Sequence, residues 1–358
     1  LSKMHRLNKE IGSNFHLFES KDSEYKLLEQ NKISLDVNDY SFYYSGRNAL
    51  LAIIEKIKAT NTIETIWLPY YYCYTISDLI NHHYSNIKYY KVSPFEFTKT
   101  IDITSFSNKN DIVILNNFWG LSTFDYPETD RAFIIEDHTH GWLSNQSLNS
   151  KADYCFASLR KVYPIPLGSV VWSPNTKEKL DYYQDTADEK IENAYKMIKD
   201  SMLLKRQFIK NQSLVKPEYL LSFIQGEGLL SFSENYIKPK AETIDLIKSY
   251  FTLDPNPVKR ENLECILNHL EPSRHFKIIQ KEGATPFGLL LLFRNYQVFD
   301  SFRIWLISNQ IFPAHLWPNN KVLLKWKYLL NIHVDFRYDI DSMSYLVEKI
   351  NVWVKNNV

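Results

Sequence analysis

Ala-Asp-Tyr-Cys-Phe-Ala-Ser-Leu-Arg-Lys-Val-Tyr-Pro-Ile-Pro-Leu-Gly, residues 152–168, is the stretch that decides how the chain folds. Tyr154 to Ala157 is a short apolar run of strand character. It gives way to Ser158-Leu159-Arg160-Lys161 and then to a proline-containing turn ending at Gly168. A serine and a lysine at the carboxyl end of a strand admit two chemistries. Ser-x-x-Lys is the nucleophile motif of penicillin-binding proteins and serine β-lactamases, but there the serine opens a helix and a Lys-Thr-Gly accompanies it. No Lys-Thr-Gly occurs in this chain. The other chemistry makes Lys161 a Schiff-base lysine and Ser158 a hydroxyl donor to a phosphate.

Outward from this stretch, β-rich runs alternate with helical patterns from about Tyr40 to Pro174. A helix is predicted over Asn48 to Lys58, where Leu50, Leu51, Ile53, Ile54 and Ile57 fall at helical spacing, and another over Ile76 to His82. Strands are predicted over Thr65–Pro69, Ile87–Val92, Asp111–Leu115, Ala132–Ile135 and Ser169–Trp172. Continuous apolar strands separated by helices or loops predict an α/β sheet covered on both faces. Several strands end in polar residues (Asn116-Asn117, Glu136-Asp137, Ser158), and ligands of open α/β sheets gather at strand carboxyl ends. Thr176 to Gln212 reads as one long helix with a solvated charged face. Beyond the helix Ala241–Phe251 and the break Asp254-Pro-Asn-Pro257 come helix Glu261–Leu270, strands Phe276–Ile279 and Leu289–Phe293, helix Val298–Asn309, strand Tyr328–Val334 and helix Met343–Trp353. These predict a smaller α+β domain over 246–358 behind a large α/β domain with an N-terminal arm over 1–245.

Lysine plus arginine total 42 against 41 acidic residues, a net charge of +1. That balance gives no electrostatic reason to expect nucleic acid or an anionic membrane. Three cysteines with no close pair offer neither a disulfide framework nor a zinc ribbon, which points to a reducing compartment. LSKMHRLNKEIGSNFHLF lacks the apolar core of a secretion signal, and no run of about 18 apolar residues occurs. A soluble, cytoplasmic protein is expected.

Three further segments carry chemistry. Ser45-Gly46-Arg47-Asn48 precedes an amphipathic helix, so its backbone amides and dipole end can cradle a phosphate, or its Ser45 or Asn48 can simply cap the helix. Glu136-Asp137-His138-Thr139-His140-Gly141 gathers two carboxylates and two imidazoles at a strand end, enough to hold a cofactor or, with ligands from elsewhere, a metal. Pro69-Tyr70-Tyr71-Tyr72-Cys73-Tyr74-Thr75 supplies a ring that packs in a core or stacks on a flat cofactor.

Taken in order, SGRNAL (45–50), LPYYYCYT (68–75), NNFWG (116–120), IIEDHTHG (134–141) and ADYCFASLRKVYPIPLG resemble the fold-type I pyridoxal-phosphate enzymes. Within that superfamily the chain resembles a divergent branch of the sugar-aminotransferase (DegT/StrS-like) family. IFPAHLWP (311–318) and NIHVDFRYDIDSM (331–343) are similar to its small-domain segments, so the resemblance runs from about Tyr44 to Met343. It implies a large α/β domain with a mostly parallel seven-stranded sheet, a small C-terminal α+β domain, and a homodimer with sites at the interface.

It also implies roles, residue by residue. Lys161 carries pyridoxal 5'-phosphate as an internal aldimine and shuttles the substrate proton, and Asp137 pairs with the pyridine nitrogen. His140 and Asn117 make polar contacts near the phenolic oxygen, and the amides of Gly46 and Arg47 with the Ser158 hydroxyl take the phosphate. Tyr72, or Tyr71 one residue away, stacks on the ring. Arg337 recognises a substrate carboxylate, unless it pairs with Asp335 or Asp339, and His315 and Trp317 line the entrance. No metal is implied. The chain departs from the family in having Gly46-Arg47 for a glycine-threonine pair and only Gly168 for a glycine-rich stretch. The implied reaction moves an amino group from glutamate or a similar donor to a keto group, on a nucleotide-linked sugar for surface polysaccharide. Two alternatives stay open: a dehydratase or lyase using the same cofactor, and a metal-binding or non-catalytic protein using Glu136, Asp137, His138 and His140.

Overall fold

The structure is a computed structural model that describes residues 10–12, 14–211, 216–231, 233–318, 320 and 322–357. The start of the segment scanned for a secretion signal (1–9) and the last residue of the expected long helix, Gln212, lie outside the described residues. After β1 (Ile11–Gly12) and α1 (Ser23–Glu29) come β2 (Tyr40–Tyr43), α2 (Gly46–Thr60), β3 (Ile66–Pro69), α3 (Tyr74–His83), β4 (Ile87–Tyr90) and β5 (Ile112–Asn116). Next are β6 (Phe133–Asp137), α4 (Asn145–Leu148), β7 (Tyr154–Ser158) and β8 (Ser169–Trp172). Strands β2 to β8 form one seven-stranded sheet in the order β2-β8-β7-β6-β5-β3-β4. Only β8 runs against its neighbours; the other pairings are parallel. The sheet is therefore the mostly parallel one expected. Leu50, Leu51, Ile53, Ile54 and Ile57 of α2 are all buried in a core shared with β3, β5 and β8.

The rest of the chain is α5 (Glu189–Asn211), α6 (Lys216–Ser231), α7 (Ala241–Phe251), α8 (Asn256–His269), β9 (Phe276–Ile278), β10 (Leu289–Phe293), α9 (Tyr296–Ser308), β11 (Ile311–Phe312), β12 (Ala314–Leu316), β13 (Tyr328–Ile332) and α10 (Ile340–Asn356). A second, antiparallel sheet in the order β12-β13-β10-β9 shares its core with α8, α9 and α10. All five residues of β10 are buried, and each leucine so buried contributes roughly 1.5–3 kcal/mol. β1 pairs in parallel with β11 and straps the N-terminal segment to this region. Gly12 makes that approach with φ 88°, where a Cβ would lie 2.2 Å from the Phe312 carbonyl oxygen. No helix among the described residues is long and apolar enough to cross a membrane.

Two expected elements begin elsewhere. The long helix starts only at Glu189, because Asp188 accepts the amides of Lys190 (3.0 Å) and Ile191 (3.1 Å) and so caps it there. The preceding residues form turns and irregular chain, with the carbonyls of Leu180 and Tyr182 accepting the Tyr43 hydroxyl at 2.8 and 3.0 Å. The break at Asp254-Pro-Asn-Pro257 is partly helix: α8 starts at Asn256, since a proline in the first turn costs no hydrogen bond. Helix α6 went unanticipated because its sequence, with Gly226 and Gly228 and no polar stripe, lacks a helical signature.

Candidate active site

Strand alternation builds the site from β5, β6 and β7. Asn116 and Asp137 end β5 and β6 as register partners, and Ser158 ends β7. All three line a cavity of about 420 Å³ over the carboxyl ends of the strands. The same cavity takes in Ser45, Gly46 and Arg47 at the start of α2, Cys73 to Ile76 at the start of α3, Thr139, His140, Arg160, Lys161, Glu227 of α6, and His315, Trp317 and His333 from the second sheet region.

Lys161 closes the single helical turn Leu159–Lys161 that follows Ser158. Its side chain reaches solvent-accessible space, yet the Arg160 guanidinium beside it, and then the surrounding protein, lower its pKa below that of an ordinary lysine. Its amine has no hydrogen bond or ion pair to any described residue. Arg160 itself is held by both carboxylate oxygens of Glu227, one of them at 2.9 Å.

Asp137 is 3% exposed. One oxygen accepts the Thr139 amide at 2.9 Å and the other accepts the Tyr72 hydroxyl at 2.7 Å. Burial raises its pKa against the opposing pull of these bonds. The Thr139 hydroxyl in turn accepts the Ser158 amide at 3.1 Å, tying the ends of β6 and β7 together. His140 is sandwiched by aromatic rings, stacked on Trp119 at 5.1 Å and tilted against Phe287 at 4.6 Å. Burial, helped by Lys161 and Lys259, pushes its pKa down to about 3, so the imidazole is neutral. Its Nδ1 and the Asn116 Nδ2 are both buried without a partner among the described residues.

At the start of α2, Ser45 accepts the Asn48 amide at 3.3 Å and caps the helix. The Arg47 side chain turns away to the Leu230 carbonyl (2.8 Å) at the end of α6. The amides of Gly46 and Arg47 precede the first intrahelical bond, and both residues line the cavity.

Of the residues singled out by sequence, the structure thus brings Gly46, Arg47, Asp137, His140, Ser158, Lys161, His315 and Trp317 to one cavity. The other four do not line it. Asn117 points to the opposite side from Asn116: its amide reaches His138 Nδ1 (3.1 Å) and Ser144 Oγ (3.2 Å), and its carbonyl accepts the Ser122 amide (3.1 Å). That packing leaves no room at Gly141, where a Cβ would lie 2.3 Å from the Asn117 side chain. Tyr72 reaches the site through its hydroxyl on Asp137, while Tyr71 lies behind Trp317, ring centroids 5.2 Å apart. Arg337 is buried, its fork donating to both oxygens of Asp335 at 2.7 and 2.8 Å.

Sequence reasoning passes over Asn116, Thr139, Cys73, Trp119 and Glu227. Asn116 could have been found by alternation, since it and Asp137 both close their strands. Trp119 and Trp317 share a feature no sequence pattern shows: both hold left-handed backbone, φ 59° and 46°, and their rings meet at 4.9 Å. Backbone of this kind costs on the order of 1–3 kcal/mol and clusters at functional sites.

The same alternation divides the residues of the metal alternative. Asp137 and His140 face the cavity, whereas Glu136 and His138 lie beneath it beside Cys155, their ligand atoms all within 4.8 Å. Those atoms are already engaged: Glu136 accepts Tyr126 at 2.7 Å and bonds His138 at 2.7 Å, and Cys155 contacts Ser150 at 3.2 Å.

No family model matches the sequence, and no curated protein matches it. Solved structures do. Helicobacter pylori PseC, an aminotransferase involved in the biosynthesis of pseudoaminic acid, superposes with TM-score 0.57 over 97% of this chain and 100% of its own, at 10% identity. The sugar aminotransferase CalS13 from Micromonospora echinospora gives TM-score 0.54 over 96% and 99%, at 13% identity. DesV of S. venezuelae, in complex with a ketimine intermediate, gives 0.55 over 96% and 91%, at 9% identity. Likenesses at such identities speak to the fold alone, and on that ground the chain has the fold-type I aminotransferase fold.

Proposed function

We propose that the chain is a pyridoxal-phosphate-dependent aminotransferase that moves an amino group from glutamate or a similar donor to a keto group, on a nucleotide-linked sugar used for surface polysaccharide. The observation that carries this is one cavity at the strand ends holding a buried carboxylate together with a lysine and two buried polar atoms that have no partner among the described residues. Such a donor set fits pyridoxal phosphate. Asp137 would face its pyridine nitrogen, His140 and Asn116 its phenolic oxygen, Lys161 its aldehyde carbon, and the Gly46 and Arg47 amides with the Ser158 hydroxyl its phosphate. When bound, the group supplies an electron sink for the pair released as the donor loses its Cα proton.

The chain's own residues do the rest. Lys161, its amine freed of a proton more readily than usual, takes the Cα proton of the donor and returns one to the product side. Asp137, kept from water and oriented by Tyr72 and Thr139, holds a proton on the ring nitrogen; an amide could not. Tyr72 therefore fits an orienting role rather than stacking. Arg337, taken up by Asp335, fits a structural role. The same reading divides the chain into a cofactor domain over 1–245 and a small domain over 246–358, joined through α7, with a homodimeric assembly in the cytoplasm.

The test is a half-reaction with the cofactor-loaded protein, a panel of L-amino acids and no acceptor. One equivalent of oxo acid per site is expected from the true donor. Retained cofactor with no oxo acid from any member would leave a non-transaminating enzyme.

A further inference from the structure

A second cavity of about 270 Å³ adjoins the first, and the two share a wall of Arg160, Lys161, Glu227, Ala314 and His333. Away from that wall its lining is Asn14 and six apolar residues, Phe15, Ile165, Pro166, Ile198, Met202 and Phe223. These come from four separate pieces of chain, the N-terminal segment, the turn after Lys161, α5 and α6. Phe15 is held in place from behind, with the Arg337 guanidinium 4.0 Å from its ring centroid and Phe336 stacked at 6.0 Å.

We propose that this chamber receives the side chain of the amino donor, and that the donor is an α-amino acid with an apolar side chain, of the leucine or phenylalanine kind, rather than glutamate. The inference rests on the aminotransferase reading and replaces the glutamate-type donor given there. Lys161 has to reach the donor's Cα, so the donor side chain occupies space beside Lys161. This chamber borders Lys161 on a side that no cofactor contact claims. A glutamate side chain there would set a carboxylate against the apolar side chains of Phe15, Ile198, Met202 and Phe223. Of the two cations at the shared wall, Arg160 already carries Glu227 on both arms of its fork, and Lys161 would be taken up by the cofactor. An apolar side chain loses nothing by leaving water and fills the chamber favourably. The exchange balances for any such donor: its CH–NH2 becomes C=O while the acceptor's C=O becomes CH–NH2, the donor carbon being oxidised and the acceptor carbon reduced by the same two electrons.

Unreactive analogues separate recognition from chemistry. Calorimetric titration of the cofactor-loaded protein should show 4-methylpentanoate, which is leucine without its amino group, binding at least tenfold tighter than glutarate. Met202→Trp, which fills the chamber, should erase that preference while cofactor uptake, read by absorbance, is unchanged. Should that buried substitution fail to fold, Phe223→Lys at the half-buried rim should shift the preference at least tenfold toward glutarate. Glutarate binding as tightly as 4-methylpentanoate, or a preference indifferent to both substitutions, overturns the proposal. If the protein takes up no pyridoxal phosphate, the aminotransferase reading fails separately, and the same titrations on the protein as purified still decide what the chamber accepts.

Discussion

Replacing Arg337 with methionine should cost stability and leave donor recognition intact. Arg337 and Asp335 are two residues apart, and the side chains are 4% and 9% exposed. Burial alone would raise the Asp335 pKa, yet the Arg337 charge and hydrogen bonds hold it down to about 2. Measured against the ordinary 3.8, that depression is linked to about 2 kcal/mol of folding stability. Breaking a buried pair from one side costs more, about 3–5 kcal/mol, because the orphaned carboxylate stays behind. The sign with pH follows. A depressed carboxylate contributes its stability above the unfolded pKa and loses it as pH falls through the folded one. The gap in urea midpoint between parent and Arg337→Met should therefore be wide at pH 7, begin to narrow as pH falls below about 4, and close only below about 2. The double variant Asp335→Asn with Arg337→Met should recover most of the loss, since no buried charge remains. An Arg337→Met protein as stable as the parent, but with a raised KM for the amino donor, would refute this and return Arg337 to the substrate.

Asn116→Ala should leave the unfolding stability in urea within about 1 kcal/mol of the parent, because the amide it removes has no partner among the described residues, but should weaken pyridoxal-phosphate binding in a titration. Asn117→Ala should do the opposite, destabilising the fold while its folded fraction binds cofactor normally. Arg160→Met should move the pH at which Lys161 of the cofactor-free protein reacts with an amine-directed reagent upward, since Arg160 is the foremost cause of its lowered pKa. Asp137→Ala should lower turnover on the order of 10²–10³-fold with cofactor still bound, as expected when a preorganised charge is removed; unchanged turnover would mean the ring nitrogen lies elsewhere.

Much of this molecule is legible in its sequence, and the exceptions have physical reasons. The strands around Lys161 and Asp137 announce themselves as apolar runs with polar ends, and the face of α2 by its spacing. Asn116 and Asn117 differ by one position, but one position in an extended chain reverses the direction of a side chain, so the wrong asparagine is easily chosen. Tyr72 sits in the right segment, and only coordinates show that its hydroxyl, not its face, meets the site. The pairing of Arg337 with Asp335 is short-range and open to inference; that it occupies both arms of the fork is not. Nothing local signals that Trp119 and Trp317 adopt left-handed backbone, or that α6 brings Glu227 onto Arg160, because both depend on elements far apart in the chain.

The central claim is that Lys161 holds pyridoxal phosphate. The most direct measurement is the visible absorption spectrum of the purified protein with added pyridoxal phosphate, followed by removal of unbound cofactor, for the parent and for Lys161→Ala. A visible band that survives in the parent, bleaches when the amino donor is added, and is missing or indifferent to donor in Lys161→Ala is the predicted result. A parent that retains no band, or a Lys161→Ala protein that keeps the band and its response to donor, would contradict it.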